Sequence, residues 1–193
     1  MYRDALSKIH ESNYGVREME KLIYAIKNAN GEDFLMATAS GLTALFMLVD
    51  IPVWAVFIGW TWYLSIGANV RAIKEGTITC ILGGVLALSS VVCIDLLKPY
   101  LPWLLPNIIG VFPNILLLIL TFKIPGIQPL VGFNAFSCIF AGYYLNGFPV
   151  HPDYWVNILM AFLYINGANI IGLFEGWFVQ RICSLAGYKG NNG

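Results

Sequence analysis

The sequence predicts an all-α protein: a polytopic membrane helix bundle of about six transmembrane helices, built as two inverted three-helix repeats behind an N-terminal amphipathic helix. Three observations lead there. Of the 193 residues, 58% are hydrophobic and only 11% are charged, about half the charge that covers an ordinary soluble domain. The apolar residues fall in long blocks, separated by short segments rich in proline and charge. The basic residues, finally, cluster in alternate connecting segments.

Residues 1–33 read as a cytosolic preface. Met19, Leu22, Ile23 and Ile26 lie at i, i+3, i+4 and i+7, one stripe of a helix, with Glu18, Glu20, Lys21 and Lys27 off it. Such a helix rests on the bundle or on the membrane surface, or docks a cytosolic partner. Asn30-Gly31 is expected to end it. The segment up to Gly31 has no apolar core of the kind a secretory signal needs. The chain is therefore expected to insert through its own first span.

The apolar block from Phe34 to Ala68 would make one helix of about 52 Å, too long for a hydrocarbon core of about 30 Å. Asp50-Ile51-Pro52 divides it, because a proline turns the residue before it away from helix. The predicted spans are then Phe34–Val49, Pro52–Ala68, Gly76 to about Leu97, about Leu104 to Phe122, roughly Pro129 to Phe148, and Tyr154 to Val179. The bundle covers 34–180, with repeat 1 at about 34–97 and repeat 2 at about 104–179; a cytosolic tail occupies 181–193. With both termini inside, ten of the eleven basic residues are cytosolic and only Lys98 lies outside.

A shift of 73 residues lays Ile51–Ala68 on Ile124–Ala141 without a gap, with Ile51/Ile124, Pro52/Pro125, Gly59/Gly132, Ile66/Ile139 and Ala68/Ala141 identical. Three spans per repeat place the second copy upside down in the membrane, the plan of many transporters and channels.

These residues, with Phe57-Ile58-Gly59-Trp60, Tyr63, the basic loop after them and a glycine-containing third span, resemble a family of small uncharacterised bacterial inner-membrane proteins typified by YcdZ. The resemblance runs from about Phe34 to Gln180; the charged preface departs from it. It implies a bacterial inner-membrane protein and no particular activity.

Candidate functional residues come from the repeat. Gly59-Trp60-Thr61 with Tyr63, and Gly132-Phe133-Asn134 with Phe136, hold corresponding places in the two halves. Glycine admits close approach, and aromatic rings with a hydroxyl or an amide shape a narrow constriction. The plainer alternative is that the glycines pack helices while the rings fill the core. Asn166 and Asn169, at i and i+3, either join helices or line a polar path. Glu175 is the one acid expected to be buried in a span, snorkelling, bonding a neighbouring helix or sensing an ion. Gly172/Gly176, Ala37/Gly41 and Gly83/Ala87 are small-residue pairs suited to helix contacts within a protomer or within a homo-oligomer.

No catalytic residue, metal site or cofactor is predicted. His10 and His151 lie far apart, and Cys80, Cys93, Cys138 and Cys183 have no metal-ligand spacing and read as small hydrophobes. A net charge of zero gives no basic excess for nucleic acid. The expected function is a channel or facilitator for a small uncharged or anionic solute. The alternative is a non-transporting scaffold that recruits a partner through residues 1–33.

Overall fold

The computed structural model describes Arg17 and residues 19–187. The expectations for residues 1–16, for Glu18 and for 188–193, the end of the predicted tail, lie outside the described residues. Every regular element among the described residues is helical.

Residues 19–27 form a short helix. Asn30-Gly31, expected to end it, instead begins the next one. The Asn30 side chain accepts from the Glu32 and Asp33 amides at 2.8 and 3.2 Å, and the Asp33 carboxylate accepts from the Asn30 amide at 2.8 Å. This reciprocal capping box satisfies donors that a helix start leaves open, and it launches α1, Gly31–Thr43. The chain then tightens into a 3-10 turn, Ala44–Val49. Asp50 stops it in a left-handed conformation (φ 56°), with Ile51 N–H donating to Phe46 O and Asp50 N–H to Met47 O. That bond pair closes a helix end, and Pro52 forbids its continuation.

The remaining helices are α2 (Val53–Ser65), α3 (Val70–Leu97), α4 (Leu105–Thr121), α5 (Pro129–Tyr144) and α6 (Tyr154–Leu185). A π-helical turn, Phe162–Asn166, interrupts α6. Two long helices organise the packing: α3 and α6 touch each other, α2 lies along α6, and α4 and α5 lie along α3. α1 rests lightly on α6 and α2.

The apolar segment Gly31–Val49, α3 and α6 are each long and apolar enough to cross a membrane, and α4 is a shorter apolar helix. The sequence pattern predicts six spans, the first two short and the sixth the longest, and three apolar segments reach full crossing length here. α2 and α5 have 13 and 16 residues, about 20 and 24 Å, against a core of about 30 Å. Conversely, α3 starts at Val70 rather than Gly76, taking in Arg71, Lys74 and Glu75. The outer faces of α1 with its 3-10 turn, and of α4, expose rows of large apolar side chains, such as Leu42, Leu45 and Leu48, or Ile108, Phe112 and Leu116. Such surfaces suit lipid.

Each end of α3 carries a polar clamp. At its start the Glu75 carboxylate accepts from Arg71 Nε and from Gln128 Nε2, both at 2.6 Å. The Thr79 hydroxyl there accepts from the Gln128 amide at 3.1 Å, which fastens the α4–α5 connection to α3. At its other end Asp95 accepts from Lys98 at 2.7 Å and from the Tyr154 hydroxyl at 3.3 Å, tying in α6. Lys98 also sits 5.5 Å from the centre of the Tyr144 ring at the end of α5.

The stripe of residues 19–27 remains uncovered: Met19, Leu22, Ile23 and Ile26 are all exposed. Removal of residues 1–29, which keeps the Asn30 cap, is therefore expected to leave an inserted bundle that is monodisperse in detergent. Aggregation of that variant on size-exclusion chromatography would show that the segment belongs to the fold.

Candidate functional site

Two close helix crossings frame the centre of the molecule. At the first, a Cβ on Gly59 of α2 would overlap the Asn169 carbonyl oxygen of α6, and a Cβ on Gly172 of α6 would overlap the Val56 carbonyl oxygen of α2. Backbone rests on backbone, which only small residues permit. At the second, Gly83 of α3 faces Gly132 of α5, whose carbonyl oxygen would lie 2.6 Å from an added Cβ. The paired glycines thus both sit at helix contacts. A third contact joins the long helices, where Gly84 of α3 takes the Asn166 amide against its bare face.

The residues after each glycine divide by helical angle. Tyr63 and Phe136, four places on, return to the interior and are 1% and 5% exposed. Thr61 and Asn134, two places on, turn to the opposite side. Thr61 is exposed and bonds its own helix at the Ile58 carbonyl (2.7 Å); Asn134 is half-buried and bonds the Leu130 carbonyl (2.8 Å). These two polar groups are not brought to the centre. Trp60 is buried in a cluster with Val179 and Cys183, against Leu35, Met36 and Ala39 of α1. Phe133 is exposed on one side and packs its ring 5.1 Å from that of Phe122, at the end of α4. The Tyr63 hydroxyl donates to Gln180 Oε1 at 2.7 Å.

The centre belongs to the two asparagines. Asn166 and Asn169 are 1% and 0% exposed, and Asn166 ends the π-helical turn of α6. A π turn inserts a residue into the ladder and rotates the rest of the helix, a distortion frequent at functional sites. The Cys80 thiol of α3 donates to Asn166 Oδ1 at 3.5 Å. The Cys138 thiol of α5 lies beside both Asn169 and Cys80. Three helices therefore deliver four small polar groups to one place. Apart from the Cys138 sulfur beside Asn169, Asn166 Nδ2 and the Asn169 amide have no hydrogen-bond partner among the described residues. A buried polar group left unpaired costs about 1–3 kcal/mol. Sequence reasoning singles out the asparagines but misses their thiol neighbours. Cys80, Gly83 and Gly84 at i, i+3 and i+4 share one face of α3, and that spacing is the available signal.

Glu175 lies apart, at the junction of α1 and α6. The Thr43 hydroxyl donates to its Oε1 at 2.5 Å, and its Oε2 is buried without a partner. An outward-opening groove of about 470 Å³, lined by Val70, Ile73, Thr77, Phe174 and Trp177 among others, runs between α3 and α6 away from the asparagines.

The apolar helices and a buried neutral polar centre define the class: an all-α protein whose helices are compatible with a membrane protein. The chain belongs to the family of proteins of unknown function DUF1097, whose model matches residues 34–185. The match begins at Phe34 and leaves the charged preface outside. No curated protein and no solved structure matches the chain.

Proposed function

We propose that this protein is a six-span inner-membrane facilitator for a small neutral solute, which it passes at the interface of two inverted repeats. The three unpartnered amide atoms of Asn166 and Asn169 carry the reading. A small polar solute passing through the centre would satisfy this hydrogen-bonding capacity. Discontinuous or distorted helices at a repeat interface are where transporters hold their cargo, and the π turn of α6 fits that role.

The repeat is supported by how the helices pair. Exchanging α1, α2 and α3 with α4, α5 and α6 carries the α2–α6 contact onto the α5–α3 contact, and leaves α3–α6 as its own counterpart. Gly59 packs its bare face on α6 and Gly132 presents its carbonyl to Gly83 of α3, although the bare face of Gly132 meets Leu118 and Phe122 of α4. Trp60 against α1 and Phe133 against the end of α4 correspond in the same way. The YcdZ-like resemblance and the basic-residue pattern favour a bacterial inner membrane with both termini cytosolic. No covalent chemistry enters this reading.

Topology supplies one test. Single cysteines near Arg71, Lys123 and Lys189 should label from the cytosol, and those near Asp50, Lys98 and His151 from outside. Termini on opposite faces would remove the six-span plan and the repeat with it. Function supplies the other. Proteoliposomes should admit at least one small neutral solute faster than protein-free vesicles, and background rates for all of them would end the facilitator reading.

A second reading, a scaffold that recruits a cytosolic partner, is favoured by the tight Gly59–Asn169 crossing and by the uncovered stripe at residues 19–27. Background flux, together with a partner released on deletion of residues 1–29, would establish it.

A further inference from the structure

The unsatisfied atoms at the centre have a definite chemistry. Asn169 offers both Nδ2 and Oδ1, a donor and an acceptor on one rigid planar edge. Asn166 offers Nδ2 alone, because its Oδ1 accepts from the Cys80 thiol. The two residues stand one turn apart on α6, Asn166 against Cys80 and Asn169 against Cys138, with the Asn166 amide packed on Gly84. The set is two amide donors and one acceptor, with weak, polarisable thiols around them and no ionised group among the four side chains.

We propose that Asn166 and Asn169 form a recognition site for a small uncharged solute carrying a primary amide edge, such as a simple carboxamide or urea. The inference deepens the facilitator reading and rests on it. Charge argues first for a neutral ligand. An ion at a buried centre without a counter-charge would lose its hydration with little in return. Glu175 lies six residues further along α6, about 9 Å away, and is held by Thr43 of α1. Geometry argues next for an amide. A primary amide presents a carbonyl oxygen and a syn N–H in one plane. Paired edge to edge with Asn169, its N–H donates to Oδ1 while its carbonyl accepts from Nδ2. The carbonyl keeps a second lone pair, which Asn166 Nδ2 can fill. All three unpartnered atoms are then used. A polyol can bond the same atoms only with hydroxyls on rotatable carbons, out of a common plane. A purely structural pair of asparagines would bond each other or a neighbouring backbone, and these atoms do neither.

Full-length protein in proteoliposomes, followed by stopped-flow light scattering, tests the assignment. Acetamide and urea should enter faster than in protein-free vesicles, and about tenfold or more faster than glycerol enters with the protein, the factor one good hydrogen bond supplies. Glycerol, similar in size, and methylammonium should enter at the background rate. Asn169→Val should return acetamide to background. In detergent, millimolar acetamide should raise the melting temperature of the wild type and not that of the variant. If Asn169→Val does not insert, the selectivity of the unchanged chain for acetamide over glycerol reads the same point. Glycerol passing faster than acetamide would overturn the amide site and leave the facilitator. No flux of any solute, with the acetamide shift retained, would keep the site and overturn the facilitator. Neither flux nor shift would overturn both.

Discussion

Gly59→Ala is expected to destabilise the bundle by at least the upper part of the ~1–3 kcal/mol usual for an overpacked site. The reason is the nature of the obstacle. A methyl at Gly59 meets the Asn169 carbonyl oxygen and carbon, and backbone in the middle of a helix cannot rotate aside as a side chain can. Gly172→Ala meets the Val56 carbonyl across the same contact, so either change pushes α2 off α6. The two should be non-additive, because the first to separate the helices relieves the second. Gly41→Ala is the control. Nothing lies within 4 Å of that Cβ, and alanine gains up to about 1 kcal/mol over glycine within a helix. Thermal unfolding in detergent measures all three. Equal melting temperatures for Gly59→Ala and Gly41→Ala would show that the α2–α6 contact is looser than described.

Asn169→Val is expected to raise stability, by about 1 kcal/mol, while it abolishes amide flux. Valine is close to asparagine in volume and carries no polar atoms, so the change removes two unpaired groups and leaves little cavity. Asn166→Val should gain less, since it also strips Cys80 of its acceptor. The sign separates the alternatives. If the amides served as glue between helices, their removal would cost about 0.6–2 kcal/mol. A variant that melts later and transports less shows instead that stability was being given up for binding.

Much of the helix layout is legible because proline and glycine mark it. Asp50-Ile51-Pro52 separates α1 from α2. The Asn30-Gly31 pair misleads because it can stop or start a helix, and the deciding residue is Asp33, three places on. The start of α3 is placed too late by the sequence because Arg71, Lys74 and Glu75 look like loop to a search for apolar runs. The partner of Glu75 is Gln128, 53 residues away, and no local pattern announces it.

In the proposed site the order of residues misleads. Thr61 and Asn134 group with their glycines by adjacency, yet two residues amount to about 200° of helix rotation. Tyr63 and Phe136, at four residues, do share the glycine face. Asn166 and Asn169 are recognisable as polar residues in an apolar run. That three of their side-chain atoms are left open depends on Cys80, Gly84 and Cys138, which only the folded chain brings alongside.

The unequal helix lengths have an electrical consequence. The Glu75 and Asp95 clamps lie about 30 Å apart along α3, the thickness of a bilayer's hydrocarbon. α2 reaches only about 20 Å, and its outer face presents Trp54, Phe57 and Leu64 to the surroundings. Lipid beside so short a wall thins or lets its headgroups dip toward the centre. In the proposed membrane orientation, the voltage then falls over a shorter insulating path beside α2 than beside α3. In that orientation the thinned side of the bundle is the one where Gly59 of α2 packs on the Asn169 backbone.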